Sequence, residues 1–129
     1  MLNYGFTKEV DIPFEKTIEA VTEALKQEGF GILSKIDVRE KFREKLGIDF
    51  KKYTILGACN PKNAHKAILA EENIGLMLPC NVIVYEKEGK TVVSIIKPMA
   101  AMEMIDNEQL HEIASNVEAQ LKKVFESIR

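Results

Sequence analysis

The feature that most constrains this chain is a β-hairpin with no polar side. Glu88-Gly89 is a two-residue turn signal between two apolar runs, one ending at Lys87 and the other starting at Lys90. A two-residue loop pairs Lys87 with Lys90 and so sets the whole register. Val84 then lies opposite Val93 and Val82 opposite Ile95, with Cys80 and Lys97 next on that face. The other face carries Tyr85 with Val92, Ile83 with Ser94, and Asn81 with Ile96. An antiparallel sheet that packs helices on one face and meets water on the other alternates apolar with polar residues. Here both faces are apolar. One must meet helices, and the other, with Tyr85, Val92, Ile83 and Ile96, needs a cover. The expected cover is a second copy of the chain about a two-fold axis. The alternatives are a ligand cavity with Asn81 as its polar contact, or a short helix over 38–46 or 61–71 lying across the face.

The remaining elements follow from periodicity. Residues 4–10 alternate as a strand, with Tyr4, Phe6, Lys8 and Val10 on one side. Pro13 suits the start of a helix over 13–28, whose stripe is Phe14, Thr17, Ile18, Val21 and Leu25 and whose end is Gly29. A second strand is expected over 30–36. Asp37 opens a charged helix over 38–46 with Val38, Phe42 and Leu46 on one face, closed by Gly47. Residues 52–59 are apolar on both faces and read as an interior strand. Asn60 caps a helix that Pro61 begins and that buries Ala64, Ala67 and Ile68. Residues 76–86 read as a long strand interrupted at Pro79, which cannot donate to a ladder. A methionine-rich connection over 98–105 leads to a last helix over 107–128, capped by Asp106 with Gln109 reciprocating. Its stripe runs Leu110, Ile113, Ala114, Val117, Leu121, Val124, Ile128. The order predicts an α+β two-layer sandwich: a mainly antiparallel sheet with two long helices on one face.

At 129 residues the chain is expected to be a single domain, 1–129, with a substantial core. A formal net charge of −2 gives no general attraction to nucleic acid or to an anionic membrane, and no apolar run is long enough for a span. Residues 1–5 lack the features of a secretory signal, so a cytoplasmic location is expected, with Cys59 and Cys80 reduced. The basic residues of 35–52 interleave with acids, which reads as a solvated face rather than a phosphate site.

Chemistry-bearing residues concentrate in 54–85, between two look-alike segments, Ala58-Cys59-Asn60-Pro61 and Pro79-Cys80-Asn81. Cys59 precedes a helix N-terminus, where partial positive charge favours a thiolate; a small residue packed in a tight strand-to-helix turn is the plainer reading. Cys80 follows Pro79 and packs in the core on the same reading. Asn60 is explained by capping, whereas Asn81 is a polar residue in an apolar strand. The candidate ligand-binding residues are therefore Cys59, Asn60, Cys80, Asn81 and Tyr85. A weaker alternative joins Cys59, His65 and Cys80 around a metal, although the spacing is not that of a zinc site and a fourth ligand is lacking. Met99, Met102 and Met104 are soft donors of the kind Cu(I) takes, and more simply gap-fillers. Glu71, Glu72, Glu86 and Glu103 show no pairing for acid–base work, and Gly29-Phe30-Gly31 is a helix exit rather than a phosphate loop.

Several of these segments carry a family resemblance. Phe42-x-x-x-Leu46-Gly47, Ile55-Leu56-Gly57-Ala58-Cys59-Asn60-Pro61, Ala64-His65-Lys66-Ala67 and Gly75-Leu76-Met77-Leu78-Pro79-Cys80-Asn81-Val82-Ile83-Val84-Tyr85 resemble the family catalogued as domain of unknown function 302. The resemblance covers nearly the whole chain, and the two Cys-Asn segments are its most specific marks. It implies a TATA-binding-protein-like topology, strand-helix-four strands-helix, and a dimer. It implies no activity.

The function expected is non-catalytic binding of a small, partly apolar ligand by a dimeric module, without a cofactor. The alternatives are a thiol-redox or metal-binding protein using Cys59 and Cys80, and a hydrolytic or transfer enzyme. The sequence leans away from catalysis because it offers apolar surface in excess and no catalytic constellation.

Overall fold

The hairpin forms with the register its turn dictates. Glu88 and Gly89 sit at φ +50° and +79°, the two positive values a type I′ turn requires. The computed structural model describes residues 2–129; Met1, part of the stretch read for a signal, lies outside the described residues. In chain order the elements are β1 (Gly5–Val10), α1 (Phe14–Gln27), β2 (Gly31–Asp37), α2 (Val38–Leu46), β3 (Tyr53–Cys59) and α3 (Pro61–Ala70). A 3₁₀ segment (Glu72–Met77), β4 (Cys80–Lys87), β5 (Lys90–Ile96), α4 (Pro98–Met102) and α5 (Glu108–Ser127) follow. The five strands form one sheet in the order β1-β5-β4-β3-β2, and every neighbouring pair is antiparallel. Val82 pairs with Ile95, Ile83 with Ser94, Val84 with Val93 and Tyr85 with Val92, as the turn required.

Both long helices pack on one face. Val21 and Leu25 of α1 and Leu121 and Val124 of α5 share a core with Leu56, Val82, Val84, Val93 and Ile95 of the sheet. Each of these side chains is worth roughly 1.5–3 kcal/mol on burial, so this layer holds the sandwich together. Thr17, fully buried on α1, donates its hydroxyl to the carbonyls of Ile12 and Pro13 and so carries no unpaired polar group into the core. Gly29 ends α1 at φ +84°, a left-handed conformation that glycine adopts without strain. At the surface Lys52, just before β3, donates to the Glu15 carboxylate of α1 at 2.7 Å.

Five local expectations need correction. The strand over 76–86 begins only at Cys80; residues 72–77 are a 3₁₀ segment, and Leu78-Pro79 joins the two through a cis peptide. Cys80 pairs with Ala58, so earlier residues would need partners beyond Cys59, where the chain has already turned into α3. The connection over 98–105 contains a helix, α4, started by Pro98. The cap of α5 is Asn107, not Asp106: its Oδ1 accepts from Leu110 N at 3.0 Å while its Nδ2 donates to the Ala70 carbonyl at 2.9 Å. A carboxylate could do only the first of these, so the amide ties the end of α3 to the start of α5. Finally, α2 buries no residue, and Leu46 is 64% exposed. Its Phe42 meets Phe50 edge-on at 5.1 Å instead of entering the core, and its charges pair among themselves as Lys41–Glu44 and Arg43–Glu40. On α3, likewise, only Ala67 is fully buried.

Gly57 shows how closely the end of the sheet is packed. A Cβ there would overlap Ser34 Oγ and approach Pro79 Cγ to 2.7 Å. Gly57→Ala is expected to cost about 1–3 kcal/mol through this overpacking. Gly75→Ala, where a Cβ would meet nothing within 4 Å, should stay within about 0.5 kcal/mol of wild type. Urea unfolding of the two variants checks the contrast, and equal midpoints would refute it.

Candidate functional site

The sheet ends abruptly at the Ala58–Cys80 rung, and the space beyond it is incompletely filled. Two buried clusters approach there without merging: the main core, which includes Phe30, Ala58 and Val117, and a smaller one of Ala67, Ile74, Met102, Leu110 and Ala114. Between them lies a cavity of about 280 Å³ lined by residues of both clusters together with Cys59, Asn60 and Cys80. Its size follows from small side chains at the facing positions: Ala58 and Cys80 on the sheet, Ala64 and Ala67 on α3, Ala114 on α5. Leu33 and Ile68, both exposed, also line it, so it reaches the surface. Among the described residues no charged side chain lines it. A second cavity of about 290 Å³ adjoins it and shares Leu78, Pro79, Cys80, Pro98 and Met102 as a common wall.

The structure divides the five candidate residues among three places. Cys59, Asn60 and Cys80 line the first cavity. Asn81, with Cys80 again, lines the second. Tyr85 lines neither; it stacks on Tyr53 across the β3–β4 ladder, with ring centroids 5.3 Å apart and planes 10° from parallel. The Asn60 amide is committed to its cap, accepting from Asn63 N at 3.3 Å, and Asn63 in turn donates to Gln120 at 3.2 Å. One atom of each of these amides, Asn60 Oδ1 and Asn63 Nδ2, is therefore engaged within the fold.

The metal set of Cys59, His65 and Cys80 is not assembled. His65 is exposed, off the α3 face that carries Asn63, Ala64 and Ala67 to the cavity. Among the described residues no three His, Cys, Asp or Glu side chains are grouped to hold a metal. His111 contacts the Met102 carbonyl at 3.2 Å. The sequence reading took the lining alanines 64, 67 and 114 as ordinary core and Met102 as a soft donor or gap-filler, not as cavity wall; only the run of small residues on facing elements marks a gap.

Both cysteines are free. Ala58 pairs with Cys80, so Cys59, one residue on, leaves the opposite face of the sheet at the end of the ladder. Burial, and next the proximity of Cys59, push the Cys80 thiol up from an ordinary value near 9.0 to about 11. Cys80 is thus a protonated thiol at neutral pH and a poor nucleophile.

The sheet face away from the helices is less bare than its sequence suggests. Val92 is 3% and Ser94 8% exposed, and the Ser94 hydroxyl hydrogen-bonds Thr7 Oγ1 at 2.7 Å. Ile55, Ile83, Tyr85 and Ile96 remain half-buried, and Ile36 is exposed. A row of rings from Phe42 through Phe50 and Tyr53 to Tyr85 crosses one corner.

The raised Cys80 value fixes a pH dependence. Between about pH 9 and 11 the unfolded chain loses this proton while the folded protein keeps it. The associated stability is intact below pH 9 and is lost as pH rises through that window, by about 2–3 kcal/mol for a shift of this size. Chemical unfolding at pH 8 and pH 10.5 should show the loss, and Cys80→Ala should shrink it. Equal slopes for the two proteins would contradict the assignment.

Comparison with known proteins agrees with this architecture. The sequence model of the family described as domain of unknown function DUF302 matches residues 6–128. The crystal structure of an uncharacterized conserved DUF302 protein from Bacillus stearothermophilus superposes with a TM-score of 0.92 at 36% sequence identity, covering 99% of this chain and 100% of that one. No curated protein matches. A match over all but the first few residues and the last, joined to the same fold from end to end, makes this chain a member of the DUF302 family.

Proposed function

We propose that the chain is a single-domain, non-catalytic binding module whose first cavity takes a small apolar ligand. The observation that carries this reading is a cavity of about 280 Å³ bounded almost wholly by carbon and sulfur. Engineered cavities of about 150 Å³ hold benzene, and drug pockets begin near 300 Å³. A ligand between those sizes fits, held by area rather than by hydrogen bonds, since Asn60 and Asn63 already bond each other and Gln120. Among the described residues no nucleophile–base pair lines the space, and burial keeps the Cys80 thiol protonated at neutral pH, which favours binding over catalysis as the reading.

Dimerisation is a second reading, favoured by the half-buried Ile55, Ile83, Tyr85 and Ile96 on the sheet face that bears no long helix. A second copy meeting this face would cover them about a two-fold axis.

Two measurements test these readings separately. An uncharged naphthylamine fluorophore should brighten on binding wild type, and Ala114→Phe, which fills the cavity, should weaken binding by about tenfold or more. Unchanged binding in a folded Ala114→Phe protein would remove the cavity from the function. Light scattering at micromolar concentration should give twice the chain mass, falling to the monomer mass in Ile83→Lys. A monomeric wild type would end the dimer reading and leave the cavity untouched.

A further inference from the structure

The first cavity lies across the ends of four neighbouring strands. At this end of the sheet Ile32 of β2 pairs with Ala58 of β3, and Ala58 with Cys80 of β4. Pro98 lies just past the end of β5, the next strand in the row. The lining follows that row: Leu33 at the β2 end, Ala58 and Cys80 in the middle, Pro98 and Met102 beyond β5. Four adjacent strands about 4.8 Å apart span about 14 Å. Spread over that length, a volume of about 280 Å³ leaves a section of about 20 Å². That is a slot one hydrocarbon chain thick. Its floor also turns, because each strand is rotated from its neighbour by about 20–25°. A rigid molecule as long as the slot cannot follow that turn, although a short aromatic can occupy part of it. A chain with rotation about each C–C bond follows it throughout.

We infer, on the apolar-ligand reading, that the occupant is the unbranched alkyl chain of a free single-chain amphiphile, about ten to twelve carbons long, with its polar end in water at the mouth. Two measures of length agree. A cavity of about 150 Å³ holds the six carbons of benzene, so about 280 Å³ holds about ten to twelve. An extended chain advances about 1.2 Å per bond, as the backbone does, so twelve carbons reach about 13 Å, close to the width of the row of strands. The head group stays outside, because among the described residues no charged side chain lines the space to receive one, and a charge buried without a partner is far costlier than a hydrated one. The exposed Leu33 and Ile68 form the mouth. The other end is closed by the wall shared with the second cavity, where Met102 is buried. Met102 therefore sets the longest chain that enters whole: its thioether side chain fills the gap that would otherwise join the two spaces.

Calorimetric titration of the full-length protein with octanoate, decanoate, dodecanoate and hexadecanoate, each below its micellar concentration, tests the assignment. Affinity is expected to rise about fourfold per added methylene up to dodecanoate, and to gain no more than about twofold from there to hexadecanoate, whose extra carbons stay in water. 1-Dodecanol should bind within about threefold of dodecanoate, since neither head group is read. Met102→Ala opens the wall to the second cavity and should move the break in the series out to hexadecanoate. Ala64→Leu, a longer side chain at a half-buried position facing the slot, should move the break below dodecanoate. A steady rise through hexadecanoate, a preference of more than about tenfold for dodecanoate over 1-dodecanol, or an unmoved break in a folded Ala64→Leu protein would overturn the chain assignment. So would absence of binding by every carboxylate while the naphthylamine still binds, an outcome that leaves the apolar-ligand reading standing. Loss of both kinds of binding ends the two together.

Discussion

The pairing of Ala58 with Cys80 is the constraint on which the functional end of this molecule depends. It is the last rung of the β3–β4 ladder. Up to it, hydrogen bonding forces the chain into strands; beyond it, both strands lose their partners and the backbone must satisfy itself in other ways. Asn60 and Pro61 start a helix on one side. On the other, the 3₁₀ segment and Pro79 approach the sheet, and Gly57 leaves room for the proline ring. The two Cys-Asn segments thus meet at one rung, Ala58 of the first opposite Cys80 of the second.

The extent to which this was legible from sequence differs by type of interaction. Register was readable because a two-residue turn leaves no freedom: once Lys87 meets Lys90, Val82 must meet Ile95. The stripes of α1 and α5 were readable because burial repeats along a long helix. The end of β4 was not, since residues 76–78 are apolar and look like strand, while what stops them is the lack of a partner in another part of the chain. Asn107 was missed beside Asp106 for a related reason. Both residues cap helices well, and what distinguishes them is the amide donor that reaches Ala70, a contact no local pattern announces. Among the site residues, Cys59, Asn60 and Cys80 could be gathered from their motifs, whereas Tyr85 was drawn in by apolar character alone and belongs to the row of rings with Tyr53.

The cavity has an energetic meaning as well as a position. A sealed apolar void loses about 24 cal/mol of stability per Å³, which for 280 Å³ is about 7 kcal/mol. That is comparable to the entire stability of an ordinary domain, about 5–15 kcal/mol. Four alanines and two cysteines where leucines would fit are therefore a costly choice for packing alone, and the cost is relieved only by opening the space or filling it. The exposed Leu33 and Ile68 at its margin provide the opening.

Filling is the more effective relief, and the chemistry of the walls determines which occupants succeed. Asn60 and Asn63 border the space, but Asn60 Oδ1 is used by the α3 cap and Asn63 Nδ2 by Gln120, and the lining is almost wholly apolar. A polar ligand would leave its own hydrogen bonds unmet there, at about 1–3 kcal/mol for each group. A carbon-rich ligand meets no such penalty, because the walls are almost wholly carbon and sulfur. The apolar wall therefore favours carbon-rich over polar occupants, and the Ala58–Cys80 rung, where the ladder stops, decides where that wall lies.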